Sequence, residues 1–249
     1  MIITTAFGKG GTGKTSTAYA LVNYAKMKGK SVLAIDCDPQ ANFTFALNGS
    51  TSQKGLFSIL AEGIEASQVI QHTEQADIIA SGLDLATTEQ IIINKPGRDF
   101  ILKQALAPIR NNYDLIVIDT QPDLNSLLIN ALSTSDAVIL PMQANSFSIM
   151  GLYQMQETIS QVQRYCNPEL KIAGILLTKY KPRQILAADM RESIEKLAKE
   201  MNTNVFNTYI REGVAIEQAQ AMQKSLFEYA PNSNPAVDYR TLFENELHI

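Results

Sequence analysis

Ile2-Ile3-Thr4-Thr5-Ala6-Phe7 runs into Gly8-Lys9-Gly10-Gly11-Thr12-Gly13-Lys14-Thr15-Ser16, and this junction decides the fold. The first six residues are β-rich and end at glycine, as a strand does before a turn. From Lys14 to Lys28 the apolar positions Ala18, Leu21, Val22 and Ala25 recur at helical spacing, and Gly29 follows as a C-cap. Residues 8–15 fit G-x-x-x-x-G-K-[ST] in the strand–loop–helix setting that the pattern needs. Glycines let backbone N–H groups turn toward phosphate oxygens without a Cβ in the way. The helix N-terminus adds partial positive charge. In such a loop Lys14 reaches the β- and γ-phosphates of a nucleotide, and the Thr15 hydroxyl ligates Mg²⁺. Lys9, a second lysine inside the loop, sits too near the phosphates to read as a casual surface charge.

Working outward, Ser31 to Asp36 is a second strand, apolar until it ends in an acid. Further strands are expected at Asp77 to Ala80, Leu115 to Asp119, Ala137 to Leu140, Ile172 to Thr178 and Val205 to Ile210. Helical patterns lie between them, at 98–110, 124–133, 148–165, 184–202, 214–223 and 236–246. Near-continuous apolar strands alternating with helices predict an α/β, doubly wound, mostly parallel sheet with helices on both faces. No repeat, low-complexity tract or Pro/Gly/Ser linker interrupts residues 1–249, so one domain is expected. Ligands of such sheets sit outside the carboxyl ends of the strands.

Two acids stand at two such ends. Asp36-Cys37-Asp38-Pro39-Gln40 closes the second strand. A carboxylate there can orient water for attack on a γ-phosphate or support the metal shell. The other reading has Asp36 simply ending the strand while Asp38 closes an Asx-turn. Leu115-Ile116-Val117-Ile118-Asp119 is an apolar run ending in an acid that suits Mg²⁺, followed by Thr120-Gln121-Pro122, which can sense a γ-phosphate.

Composition narrows the rest. Of 249 residues 45% are hydrophobic and 18% charged, which excludes long disorder and collagen-like or disulfide-scaffold designs. No run approaches 18 uncharged apolar residues, and the N-terminus lacks the basic start of a secretory signal. Cys37 and Cys166, with His72 and His248, do not make a four-ligand zinc site, and a reduced cytoplasmic setting follows. Net charge is −4, yet residues 164–224 carry ten Lys and Arg against seven Asp and Glu. A local basic face is therefore expected in the third quarter of an otherwise acidic chain.

Lys9 to Ser16 is the deviant form of the phosphate-loop box, KGGxGK[ST]. With Asp36-Cys37-Asp38-Pro39-Gln40-Ala41-Asn42 and Asp119-Thr120-Gln121-Pro122, the chain resembles the ParA/Soj partition ATPases of the ParA–MinD superfamily. The likeness continues through Ala80 to Ala86, Pro141-Met142-Gln143, Gly174 to Thr178, Ile210-Arg211 and Tyr229 to Ser233. Phe7-Gly8 and Gln121 depart from the pattern.

The resemblance implies a slow, Mg²⁺-dependent ATPase that forms a homodimer on ATP binding. Lys9 would cross to the phosphates of the partner subunit, Lys14 would serve its own chain, and Asp38 would orient the hydrolytic water. Gly8, Lys9, Gly10, Gly11, Thr12, Gly13, Lys14, Thr15 and Ser16 would hold the phosphates. Thr15, Asp36 and Asp119 would form the metal shell, and Thr178, Pro231 and Asn232 would lie near the adenine. The ATP dimer would bind DNA nonspecifically, with Lys179, Lys181, Arg183, Arg211 and Lys224 as candidate contacts, until a ParB-type partner stimulates hydrolysis. Plasmid or chromosomal DNA would be positioned this way, in the cytoplasm and on the nucleoid.

The acidic end, Asp238 to Ile249, suits no membrane. Only seven residues precede Gly8, so no helix-turn-helix domain is expected before the loop. The alternative is a related ATPase that positions non-DNA cargo, such as a protein organelle or a conjugation complex. An ATP-dependent ligase of the dethiobiotin-synthetase kind shares the loop but not the DxDPQ segment.

Overall fold

Among the described residues seven strands form one sheet: β1 (Ile2–Thr5), β2 (Val32–Cys37), β3 (Ile70–His72), β4 (Asp77–Ile79), β5 (Leu115–Thr120), β6 (Ala137–Met142) and β7 (Lys171–Leu177). Their spatial order is β3-β4-β2-β5-β1-β6-β7. All neighbours run parallel except β3, which pairs antiparallel with β4 at one edge. The computed structural model describes residues 1–182 and 185–249, and within them the side chains of all but 146, 147 and 185–188.

Both faces of the sheet are covered, and the strand residues alternate between them. Ile3, Ala34, Val117 and Ile139 pack on the face that holds α1 (Lys14–Met27), α2 (Asn42–Ala46), α8 (Ala215–Ala221), α9 (Leu226–Tyr229) and α10 (Asn234–Asn245). Ile2, Leu33, Ile35, Ile116 and Ile118 turn to the opposite face, beneath α4 (Ile101–Leu106) and α5 (Ser126–Thr134). Val138, Leu140, Ile175 and Leu177 join them there against α6 (Ser146–Tyr165) and α7 (Ile185–Glu200). Two-sided burial is why these strands read as continuous apolar runs. A short α3 (Thr88–Ile92) follows the 83–87 turn.

Two expected elements are corrected. Val205 to Ile210 makes only isolated bridges, Val205 to Ile175 and Ile210 to Thr178. The N–H groups of Asn207 and Thr208 donate instead to the Glu246 carboxylate beyond α10, at 2.8 Å and 2.8 Å. The 98–110 helix is broken into a turn at Arg98–Phe100, α4 and a second turn at Arg110–Asn112. Pro108 supplies no N–H there, and the Leu102 N–H is taken by the Asn130 side chain at 3.1 Å.

Candidate functional site

A cavity of about 680 Å³ opens at the carboxyl ends of β1, β2, β5 and β7. Its floor is the loop Gly10 to Ser16. Gly11 and Gly13 hold φ of 72° and 91°, a region that favours glycine, and Gly13 leads straight into α1. The loop is braced from the far end of the sheet. The Thr178 hydroxyl donates to the Thr12 carbonyl at 2.8 Å, and the Gln143 amide to the Gly11 carbonyl at 3.0 Å. A Cβ on Gly13 would meet the Thr178 methyl at 3.3 Å, so strand end and loop are in close contact.

Lys14 is buried, and its Nζ donates to the Lys9 carbonyl at 3.0 Å. Burial pulls its ammonium below the usual lysine range, against the pull of Asp119, Asp38 and Asp123. The Lys9 carbonyl also accepts from the Thr12 hydroxyl at 3.4 Å. Lys9 and Gly8 stand at the loop's shoulder rather than in the lining, with Gly8 packed on Leu124.

Asp36 and Asp119 are direct register partners on β2 and β5, and both are fully buried. Burial pushes Asp119 up to about 8, with Asp36 adding to it, against the Thr15 hydroxyl, Lys14 and the Thr5 hydroxyl. Asp119 Oδ1 accepts from Thr5 Oγ1 at 3.1 Å, while its Oδ2 has no hydrogen-bond partner. A buried, unpartnered carboxylate oxygen beside the Thr15 of a phosphate loop fits a Mg²⁺ shell. Among the described residues no three acids, histidines or cysteines cluster as a cation cage.

Asp36 is spoken for. Its carboxylate accepts from Asp38 N at 3.0 Å and from Thr44 N and Oγ1 at 2.8 Å each. Burial still pushes it up to about 6. Neither it nor Asp119 lines the cavity; Asp38 does, together with Gln121, Pro122 and Asp123. Asp38 Oδ1 accepts from Gln40 N at 2.9 Å, so the Asx-turn and the cavity position are both present. Asp123 was not picked out from the sequence, although it follows the β5 acid by four positions.

The opposite wall is assembled from distant segments: Thr178, Lys179, Ile210 to Gly213, Ile216, Glu217, Pro235 and Tyr239. Tyr239 Oη and Thr17 Oγ1 are hydrogen-bonded at 3.0 Å, which ties α10 to α1. Pro231 and Asn232, expected near the base, are exposed and outside the lining. Ser233 caps α10, so the chain enters the wall only at Pro235, in its first turn.

The expected basic face is dispersed. Lys179 and Arg211 belong to the cavity wall, and Arg211 grips Asp238 through Nη2 at 2.7 Å and Nε at 3.0 Å. Lys181 pairs with Glu212 at 2.8 Å, and Lys179 approaches Glu217 at 4.0 Å. Lys224 lies apart, near Lys26, Glu74 and Glu228. Arg183 lies outside the described residues.

A family model described as an AAA domain matches residues 1–172. The sporulation initiation inhibitor protein Soj of Bacillus subtilis (strain 168) is 34% identical over 238 residues, covering 94% of this chain and 93% of that one. A plasmid partition protein of Borrelia burgdorferi B31 bound to AMPPNP is 27% identical, with a TM-score of 0.81 over 99% of this chain and 98% of that one. A Mycobacterium smegmatis structure described as cobyrinic acid a,c-diamide synthase with an ATP analog and magnesium is 28% identical, with a TM-score of 0.84 over 99% and 94%. Among the described residues no helix is long and apolar enough to cross a membrane.

Proposed function

The chain belongs to the AAA-domain family of P-loop ATPases that includes Soj, and on that premise we propose that it is a partition switch driven by Mg-ATP. The observation that carries the reading is that buried Lys14, with Thr15 and Asp38, lines one cavity built over a phosphate loop, while the half-satisfied Asp119 is buried beside Lys14 and Thr15, outside the lining.

The triphosphate lies along residues 10–16, with Lys14 exchanging its bond to the Lys9 carbonyl for the β- and γ-oxygens. Thr15 and Asp119 would hold Mg²⁺, which neutralises charge on the phosphates; Asp36, occupied by Asp38 and Thr44, supports the loop instead. Asp38 orients a water for in-line attack on the γ-phosphorus, and ADP leaves with its β-oxygen as the breaking end. Ile210, Ile216, Pro235 and Tyr239 offer an apolar and aromatic wall to the base. Lys9 reaches the phosphates of a second copy, which couples the γ-phosphate to dimerisation. The ATP dimer holds duplex DNA nonspecifically, and a ParB-type partner speeds hydrolysis and release, on the nucleoid within the cytoplasm.

The internal pairing of Lys181, Lys179 and Arg211 with acids supports a second reading, a positioning ATPase for cargo other than DNA. Binding of random duplex DNA, with ATP and with ADP across a salt series, separates the two. A partition switch binds with ATP only and weakens steeply with salt. Binding blind to nucleotide, or none at low salt, favours the second reading. Lys9→Ala is expected to abolish both hydrolysis and ATP-dependent dimerisation; a variant that still does both removes Lys9 from its role. Phosphate release without any added acid or amine substrate separates either switch from an ATP-dependent ligase.

A further inference from the structure

Taking Asp38 as the residue that orients the attacking water, we infer that Thr44 and Ser81 are positioning residues, which with Asp36 close a hydrogen-bonded ring around the backbone of Asp38. The Asp38 N–H donates to Asp36 Oδ1 at 3.0 Å. The Asp38 carbonyl accepts from Ser81 Oγ at 2.7 Å. Ser81 N–H donates to Thr44 Oγ1 at 2.9 Å, and that hydroxyl donates onward to Asp36 Oδ2 at 2.8 Å. The Thr44 N–H reaches the same oxygen at 2.8 Å. Each of the four residues is bonded to the next, and the last returns to the first.

The ring spans three pieces of chain: the end of β2, the helix α2 and the segment just after β4. Asp36 and Thr44 are fully buried and Ser81 is 3% exposed. None of the three lines the cavity, so none touches the nucleotide. Asp38 alone of the four emerges into it, with its N–H and its carbonyl both pinned and its Oδ1 accepting from the Gln40 N–H at 2.9 Å. The Ala41 N–H adds a further bond to the Asp38 carbonyl at 2.8 Å, from a non-glycine residue at φ 54°. A polar ring closed around the Asp38 backbone, with the left-handed Ala41 bonded to its carbonyl, marks a position that the fold over-determines. Misplacing a catalytic group by about 1 Å costs on the order of 100-fold in rate, so the ring acts on turnover rather than on binding.

Thr44→Val removes the hydroxyl with little change of shape, and Thr44→Ser keeps it. Single-turnover phosphate release is expected to fall about 10- to 100-fold in Thr44→Val. Affinity for a fluorescent ATP analogue should stay within about threefold, and Thr44→Ser should regain the parental rate within a similar margin. A Thr44→Val protein with parental turnover overturns the assignment. So does a parallel loss of rate and affinity, or a Thr44→Ser variant as slow as Thr44→Val. If Thr44→Val does not fold by thermal melting, Ser81→Ala, which deletes one oxygen, must show the same split of rate from affinity or the assignment falls. Asp38→Asn is the control: parental turnover there removes the reading of Asp38 itself. A dead Asp38→Asn beside unimpaired Thr44→Val and Ser81→Ala removes only the ring.

Discussion

Strand β5 has an acid at each end, in opposite surroundings. Just before its first residue, Asp114 accepts from Ser31 N and Oγ at 2.8 Å each. Near its last, Asp119 keeps an oxygen with no partner and faces Asp36 across the pair of strands. The contrast extends along the sheet. On the amino edge Asp136 accepts from Ile2 N at 2.7 Å and from Arg110 at 2.7 Å and 2.9 Å. There, too, Asp77 is shared by His72 at 2.6 Å and Tyr113 at 2.7 Å. On the carboxyl edge Lys14, the one buried cation among the described residues, is bonded to a backbone carbonyl, and burial, with Asp36 adding to it, pushes Asp119 up. One edge is satisfied internally and serves the fold; the other withholds satisfaction for a ligand to supply.

The largest test of that contrast is Asp119→Asn. It relieves a buried carboxylate crowded by Asp36, so the nucleotide-free protein should melt about 2–4 °C higher, the shift that about 1 kcal/mol produces in a chain of this length. Hydrolysis should fall by at least about 100-fold, because the carboxylate proposed to hold Mg²⁺ is lost. A melt that drops, or turnover that survives, means that the carboxyl edge is not held in reserve. Asp136→Ala probes the other edge and should do the reverse. Losing a charged acceptor for the Ile2 N–H costs about 1–3 kcal/mol, lowering Tm by several degrees, while affinity for a fluorescent ATP analogue stays unchanged. Weaker nucleotide binding in that variant would erase the distinction between the edges.

What could be read in the sequence follows the same division. The phosphate loop, Asp36-Cys37-Asp38 and Asp119 are legible because each is contiguous and each ends a strand whose apolar run announces it. The wall that faces them is not: Ile216 comes from α8 and Pro235 and Tyr239 from α10, and an apolar surface can be built from any apolar residues. Pro231 and Asn232 were expected there, but the Ser233 cap turns the chain inward two residues later. The amino-edge pairs are silent for a related reason, since Asp136 and Ile2 are 134 positions apart. The Val205 to Ile210 pattern resembles a strand, yet Glu246 claims two of its donors, a competition that local periodicity does not register. Charge misleads in the same way. The basic excess over 164–224 is real, but Lys181 and Arg211 meet acids within the fold. The β3 edge strand, three residues long, is too short to carry a period.

The smallest effect belongs to Asp114, and its sign is the sharpest check on the amino edge. The Ser31 backbone N–H, then the Ser31 hydroxyl, hold its carboxyl below the ordinary value of 3.8. A carboxyl depressed in the folded state contributes stability at pH above its unfolded value, and that contribution disappears as pH falls through the folded one. Asp114→Asn should therefore be slightly less stable than the parent in urea titrations at pH 7. The gap should narrow as the pH is lowered below about 4, where the parent's carboxyl takes up its proton. The group is exposed, so the difference is small and shrinks further in salt. A gap that widens in acid would mean that Asp114 is raised, as Asp119 is, and that the two ends of β5 do not differ in kind.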